Sequence, residues 1–339
     1  MIYYGAADVH SDNTCLGILD ESGKKVFSKR VLNYKALILE ELSSFQDKLA
    51  GIVVESTFNW YWIVDALMEA GYKTHLAHPA AIKQYEGLKH TNDYDDTFHL
   101  ANLLRLGILS EGYIYPKEQR AVRDLLRKRL MLVKHRTAHI LSFQSLYCRQ
   151  TGFKLSGNDV KRLSERGLED MSSLELVRQA GQANLQVMRF LSNQIEAIEK
   201  MILADMQINP QFQKLLTISG VGRILALTIA LETGDVCRFA TVRNFSSYCR
   251  LVSSQRSSNQ KKKGENNRKN GNKYLCWAFI EAANITKRYC PLAQRFYQRK
   301  LAKSHKVLAI KALAHKLARA AYFIMRDQVD YDPQKAFGQ

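Results

Sequence analysis

Apolar residues in the first third of the chain fall into short runs separated by polar turns. Runs at 2–8, 15–19 and 25–31, rich in aromatic, β-branched and small residues, predict three strands. Glu21-Ser22-Gly23 supplies the turn between the second and third. Leu37, Leu39, Leu42 and Phe45 predict a helix over 34–49. Gly51-Ile52-Val53-Val54-Glu55 reads as a buried strand, 58–70 as a helix stopped by Gly71, and 72–76 as a fifth strand. A helix that opens with acids follows over 91–109.

Three strands, helix, strand, helix, strand, helix is an α/β layout in the order of a ribonuclease H-like fold. The pattern then changes. Leu126, Leu130, Val133, Thr137 and Ile140 step by threes and fours, as do Met188, Leu191, Ile195, Ile198 and Ile202. With no proline from 121 to 209, they predict two long helices with coiled-coil-like seams. An antiparallel hairpin within one chain and a dimerisation arm both fit. Over 215–239, Ile218-Ser219-Gly220-Val221-Gly222 between two helical stretches has the layout of a helix-hairpin-helix. The N–H groups of such a turn can hold a DNA phosphate without reading sequence. Residues 253–272 are almost devoid of apolar side chains and predict a loop held at both ends by ordered segments at 245–252 and 274–283. Helices close the chain to about 327.

Composition narrows the class. Hydrophobic residues make up 46% and charged residues 24%, enough for packed cores. No apolar run is long enough to cross a membrane, and the N-terminus does not read as a secretory signal. Six scattered cysteines without a CxxC pair argue against a disulfide scaffold or zinc finger and fit a cytoplasmic protein. The net charge of +18 is divided unevenly. Residues 1–120 hold 12 basic and 16 acidic residues; residues 121–339 hold 38 basic and 16 acidic. A basic remainder of that size recruits nucleic acid. The candidate contacts are Gly220 and Gly222 in the turn, with Arg256, Lys261, Lys262, Lys263, Arg268, Lys269 and Lys273 in and beside the polar loop.

The acidic front carries the candidate chemistry. Asp8 and Glu55 end the first and fourth strands, neighbours in a ribonuclease H-like sheet, and Asp93 and Asp96 share one face of the helix that opens there. Clustered carboxylates repel one another unless a cation joins them, and all-oxygen ligands suit Mg²⁺ or Mn²⁺. Two such ions can activate a nucleophile and stabilise a leaving oxygen in phosphodiester chemistry. Taken singly, Asp8 also reads as a turn cap and Asp93 as a helix N-cap. His10 and His99 are read as orienting neighbours rather than as ligands.

The ordered set Asp8-Val9-His10, Glu55-Ser56-Thr57, Asp93-Tyr94-Asp95-Asp96, Ser219-Gly220-Val221-Gly222, Glu232-Thr233-Gly234-Asp235 with Arg238-Phe239, and Lys269-Asn270-Gly271-Asn272-Lys273 resembles the IS110 family of bacterial insertion-sequence transposases, the DEDD class. The resemblance runs from about residue 2 to 326. It implies a RuvC-like catalytic domain over 1–115, a long helical coiled-coil-like region over 116–206, a C-terminal transposase domain with helix-hairpin-helix and serine loop over 207–330, and a tail over 331–339. The acid tetrad then maps onto Asp8, Glu55, Asp93 and Asp96. A serine that attacks DNA and becomes covalently linked to it maps by position onto Ser258, with Ser257 as runner-up. Many relatives have Gly directly after that serine, where this chain has Asn259. The resemblance also implies a homo-oligomer, dimer or tetramer, in which the acids of one chain meet the serine of another. A structured guide RNA from the element would pair with the DNA of element ends and target. Two rival readings use the same residues: a metal-dependent Holliday-junction-type nuclease with water as nucleophile, and a non-catalytic nucleic-acid-binding protein.

Overall fold

The first unit, Met1–Lys117, is built on a five-stranded mixed sheet. The computed structural model describes residues 1–78, 82, 92–164, 166–205, 210–253, 256–259, 261–264 and 270–338. Strands β1 (Tyr3–Val9), β2 (Asn13–Asp20), β3 (Lys25–Leu32), β4 (Leu49–Glu55) and β5 (Thr74–Ala77) lie in the order β3-β2-β1-β4-β5. The β1–β2 and β2–β3 pairs are antiparallel; β1–β4 and β4–β5 are parallel. Helices α1 (Lys35–Ser43) and α2 (Tyr61–Glu69) supply Ile38, Leu42, Ile63 and Leu67 to the face carrying Ala7, Val9, Leu16, Ile18, Ile52 and Val54. Helix α3 (Asp93–Arg105) packs Phe98, Leu100 and Ala101 on the other face, against Ala6, Leu19 and Val53. A sheet covered on both sides needs apolar residues at consecutive positions, hence the unbroken Ile52-Val53-Val54 run.

The helix expected over 34–49 is shorter. It stops at Ser43, a 3₁₀ turn spans Gln46–Lys48, and Leu49 opens β4 because it pairs with Tyr3 of β1. Helical spacing gives way there to the ladder hydrogen bonds of the central strand pair.

The second unit, Glu118–Gln339, is mostly helical. The long helices α4 (Lys117–Thr151) and α7 (Glu175–Asp205) run antiparallel: Arg129 pairs with Glu199 at 2.5 Å, Arg136 donates to Ser192 at 3.4 Å, and His139 meets Asn184 at 3.1 Å. Two short helices not foreseen from the periodicity, α5 (Gly157–Arg162) and α6 (Arg166–Glu169), lie between them in the chain. Val160 and Leu168 join Phe143 and Leu185 in a shared apolar cluster. A larger core follows from α8 (Pro210–Leu215), α9 (Arg223–Thr233), α10 (Val242–Tyr248), α11 (Lys273–Tyr289), α12 (Pro291–Leu301), α13 (Lys306–Asp327) and α14 (Pro333–Phe337). Phe245, Phe279, Leu275, Leu313 and Leu317 sit in it without exposed surface.

That core contains a buried charge cluster. Glu232, at the end of α9, is 2% exposed. It accepts from Arg123 Nε at 3.0 Å, Arg127 Nε at 2.6 Å and Asn272 Nδ2 at 2.7 Å. The other side of the Asn272 amide caps α11, accepting from the N–H groups of Tyr274 and Leu275. Burial pushes the Glu232 carboxyl up, but the two guanidinium groups and the Asn272 amide outweigh it and hold it below the usual range. Removing one partner of a buried ionic cluster leaves the rest uncompensated. Glu232→Gln is expected to lower the unfolding free energy of the second unit by about 3–5 kcal/mol in urea at neutral pH. A carboxyl whose folded value lies below its unfolded one contributes stability that is present above the unfolded range and lost as pH falls through the folded value. The difference between wild type and Glu232→Gln therefore closes in acid. A gap that stays constant with pH contradicts the assignment.

Candidate functional site

Strand parity decides which side chains meet α3. Ala6 faces that helix, so Asp8, two residues on, shares its side. Val53 does likewise and carries Glu55 with it. Parallel pairing of β1 with β4, Ala7 beside Val54, sets Asp8 and Glu55 next to each other at one end of the sheet. On β2, Gly17 lies under α3: a Cβ there would come within 2.9 Å of the Thr97 methyl. That close approach seats the first turn of α3 over the strand ends.

Asn92 is the N-cap of α3, its side chain accepting from the N–H groups of Tyr94 and Asp95. Asp93, also readable from sequence as the cap, is the first helical residue, and its carboxylate is turned to the site instead. Its Oδ2 receives Arg30 Nη2 at 2.5 Å and lies 3.4 Å from His10 Nε2. His10 Nε2 is 3.5 Å from Asp8 Oδ2. Asp95 turns outward and pairs with Lys25 at 3.3 Å.

The Asp8 carboxyl is raised above its ordinary value, first by burial and then by Asp93 and Asp96, against the lowering effects of His10 and Glu55. Glu55 is raised by burial, then by the charges of Asp8 and Asp96. All four predicted acids are thus electrostatically coupled in one place, on side chains from β1, β4 and α3. Their donor set is entirely carboxylate oxygen. Two of them resist ionisation, first because they are buried and then because the other acids are near, and a hard divalent cation relieves such crowding.

Sequence reasoning passed over Cys15 and Arg30. Cys15 stands opposite both Asp8 on β1 and Arg30 on β3. The only available signal was the hairpin register, which a periodicity reading does not supply.

The second unit places the remaining candidates. The segment expected as a loop contains a two-stranded hairpin, β6 (Arg256–Ser258) with β7 (Lys261–Gly264). Ser258 is exposed, pairs with Lys261, and is followed by Asn259 at φ 50°. Asparagine tolerates the left-handed region best after glycine, so it can stand where Gly is expected. Lys261 and Lys263 are exposed. The Arg256 and Lys262 positions lie in the two strands, while Arg268 and Lys269 lie outside the described residues.

Beyond the hairpin, Gly271 adopts φ 90°, and a Cβ on it would lie 2.4 Å from the Tyr248 carbonyl oxygen. The Asn272 N–H donates to that same oxygen at 2.5 Å, and Arg250 Nε donates to the Gly271 carbonyl at 2.9 Å. Both ends of the 253–270 segment are therefore tied together. Lys273 opens α11, with its ammonium over the Tyr274 ring. Between α8 and α9, Gly220 (φ 92°) presses against Thr286 of α11, where a Cβ would come within 2.7 Å of the backbone nitrogen. Gly222 precedes α9 with open space around it. Of the two glycines expected at phosphate, only Gly222 has room beside it.

A sequence model of the DEDD transposases of the IS110 family matches residues 6–147, and a second, described as "Transposase IS116/IS110/IS902 family", matches 212–298. The chain belongs to the IS110 family of transposases. A Pseudomonas aeruginosa protein named "Probable family 20 transposase" is 26% identical over 290 residues, 80% of this chain and 82% of its own. The transposase for insertion sequence element IS1111A of Coxiella burnetii is 28% identical over 295 residues, 83% of this chain and 77% of its own. An IS110-family transposase is a DNA strand-transfer enzyme, its partner is DNA, and the DEDD transposases are generally dependent on divalent metal. Among the described residues of this transposase, no helix is long and apolar enough to cross a membrane.

The raised carboxyls fix the sign of a pH effect. Asp8 and Glu55 have folded values above their unfolded ones, so their contribution to stability is full below the unfolded carboxylate range and is lost as pH rises through the folded values. Without divalent metal, the first unit should therefore melt at higher temperature as pH drops from neutral to roughly 5. Asp8→Asn should raise the neutral-pH melting temperature and flatten that dependence. A lower melting temperature for Asp8→Asn at neutral pH would show that ionised Asp8 is stabilised in the fold instead.

Proposed function

We propose that the protein cuts and exchanges DNA strands through a covalent phosphoserine at Ser258, with a divalent cation held by Asp8, Glu55, Asp93 and Asp96. The observation that carries this reading is the convergence of four carboxylates from three elements at one end of the sheet, two of them held above their ordinary pKa. The donor set suits Mg²⁺ or Mn²⁺. When bound, the metal supplies electrostatic stabilisation of the charge that builds on the phosphate oxygens.

The chain's own residues do the rest. The Ser258 hydroxyl oxygen forms a bond to phosphorus, the bond from phosphorus to the leaving strand oxygen breaks, and the serine proton is balanced by protonation of that oxygen. Exposure of Ser258 at a hairpin tip supports access to a phosphodiester. Lys261 and Lys263, exposed on the neighbouring strand, offset phosphate charge. Ties between Gly271, Asn272 and Tyr248 hold together the ordered segments that flank the hairpin, which supports a lower ordering cost at the moment of attack. Reversal of the step by an incoming strand hydroxyl reseals DNA without ATP.

The strand order β3-β2-β1-β4-β5 supports a RuvC-like reading of the first unit. The helix–turn–helix of α8 and α9, with the open Gly222 end, supports a helix-hairpin-helix that holds backbone phosphate. The pairing of α4 with α7 supports a coiled-coil-like arm in a homo-oligomer. The basic second unit supports joint binding of DNA and a structured guide RNA, to which sequence choice is delegated.

Incubating the protein with element-end DNA and Mg²⁺ should give a protein–DNA adduct that survives SDS. Ser258→Ala should abolish the adduct and strand exchange, and Asp8→Asn should abolish cutting. Cutting that persists in Ser258→Ala without an adduct identifies a water-using nuclease, and an adduct lost only in Ser257→Ala moves the nucleophile by one residue. DNA binding should weaken steeply with salt, and replacing both Lys261 and Lys263 by Ala should reduce the log–log slope by about 2. An unchanged slope would remove the hairpin lysines from the phosphate surface.

A further inference from the structure

Cys15 lies within β2 on the side facing α3, without exposed surface, where an all-oxygen cation site has no use for sulfur. Asp8 stands opposite it on β1, and His10, just past the strand end, brings Nε2 to 3.5 Å from the Asp8 carboxylate. A ring nitrogen of His10, the Sγ of Cys15 and a carboxylate oxygen of Asp93 all lie within 4.8 Å of one another. His10 Nε2 has no exposed surface and makes no hydrogen bond, although carboxylates stand on both sides of it at 3.4 and 3.5 Å. A nitrogen in that position is short of a partner, and a cation is the partner that also suits the acids.

We propose that His10, Cys15 and Asp93 form a second cation site, selective for zinc-like divalent ions. A nitrogen, a thiolate and one carboxylate make a borderline-soft set that favours Zn²⁺ or Co²⁺ over Mg²⁺. Three protein ligands leave a tetrahedral ion its fourth position for water or a phosphate oxygen. Two ligands come from a paired β-hairpin and one from the first turn of α3, so the spacing is set by backbone. Binding displaces the Cys15 thiol proton to solvent. It also displaces Arg30 from Asp93; both side chains are more than a third exposed, so the guanidinium moves into water.

Asp93 belongs to this site and to the acid tetrad. An ion on His10 and Cys15 withdraws Asp93 from the tetrad, so zinc-like ions inhibit where Mg²⁺ supports. That consequence rests on the proposed function, whereas the binding itself does not.

Co²⁺ is the probe, added to the metal-free full-length protein. One equivalent should produce a thiolate-to-cobalt charge-transfer band in the near ultraviolet, bleached by Zn²⁺ but not by Mg²⁺. The band should be lost in Cys15→Ser and in His10→Ala and kept in Glu55→Gln. It should also be kept in the Cys148→Ser, Cys237→Ser double variant, which lacks the two exposed thiols and keeps the test decisive if Cys15→Ser does not fold. Absence of the band, its survival in Cys15→Ser, or its loss in the double variant overturns the site. If the band behaves as expected and the phosphoserine adduct does not form, the site stands and the proposed function falls.

Discussion

The parallel pairing of β1 with β4 is the constraint on which the first unit depends. It closes the centre of the sheet and, by the same register, forces two carboxylates together at the strand ends. Neither consequence can be had without the other. The surroundings are arranged around that repulsion. Arg30 donates to Asp93, His10 stands between Asp8 and Asp93, and the hairpin of β2 with β3 delivers Arg30 by placing it opposite Cys15. Gly17 lets α3 approach closely enough for its first turn to complete the cluster.

The second unit is organised by a different electrostatic solution. There the charge is buried and fully answered: Glu232 meets two guanidinium groups and an amide, and its carboxyl is held down rather than pushed up. The contrast separates two uses of a carboxylate. Where partners saturate it, it fastens elements together; where they do not, burial and neighbouring acids hold its carboxyl above the ordinary range.

Much of this was legible in the chain itself. The strands announce themselves by apolar runs, and an acid at the end of such a run, as at Asp8 and Glu55, stands out because the fold gives it no solvent-facing excuse. What was not legible depends on alignment between distant segments. Cys15 and Arg30 reach the site only through hairpin register, and Arg123 and Arg127 look like polar positions beside a helical seam until Glu232 is found against them. The hairpin around Ser258 escaped because strands without apolar alternation leave no periodic trace. Leu49 was drawn into the wrong element because a helix-compatible spacing ran into a strand whose partner lies more than forty residues earlier.

Glu232 has a practical meaning for recombining this enzyme with its relatives. Its three partners are Arg123 and Arg127 from the start of α4 and Asn272 from the cap of α11, spread across some 150 residues of chain. A chimera that takes the front of one family member and the back of another keeps this set whole if the seam falls at the boundary near Lys117. A seam placed in the middle of the long helix would pair arginines from one parent with a glutamate from the other. Donor boundaries for grafts of the first unit are therefore set by a salt-bridge partnership within the second.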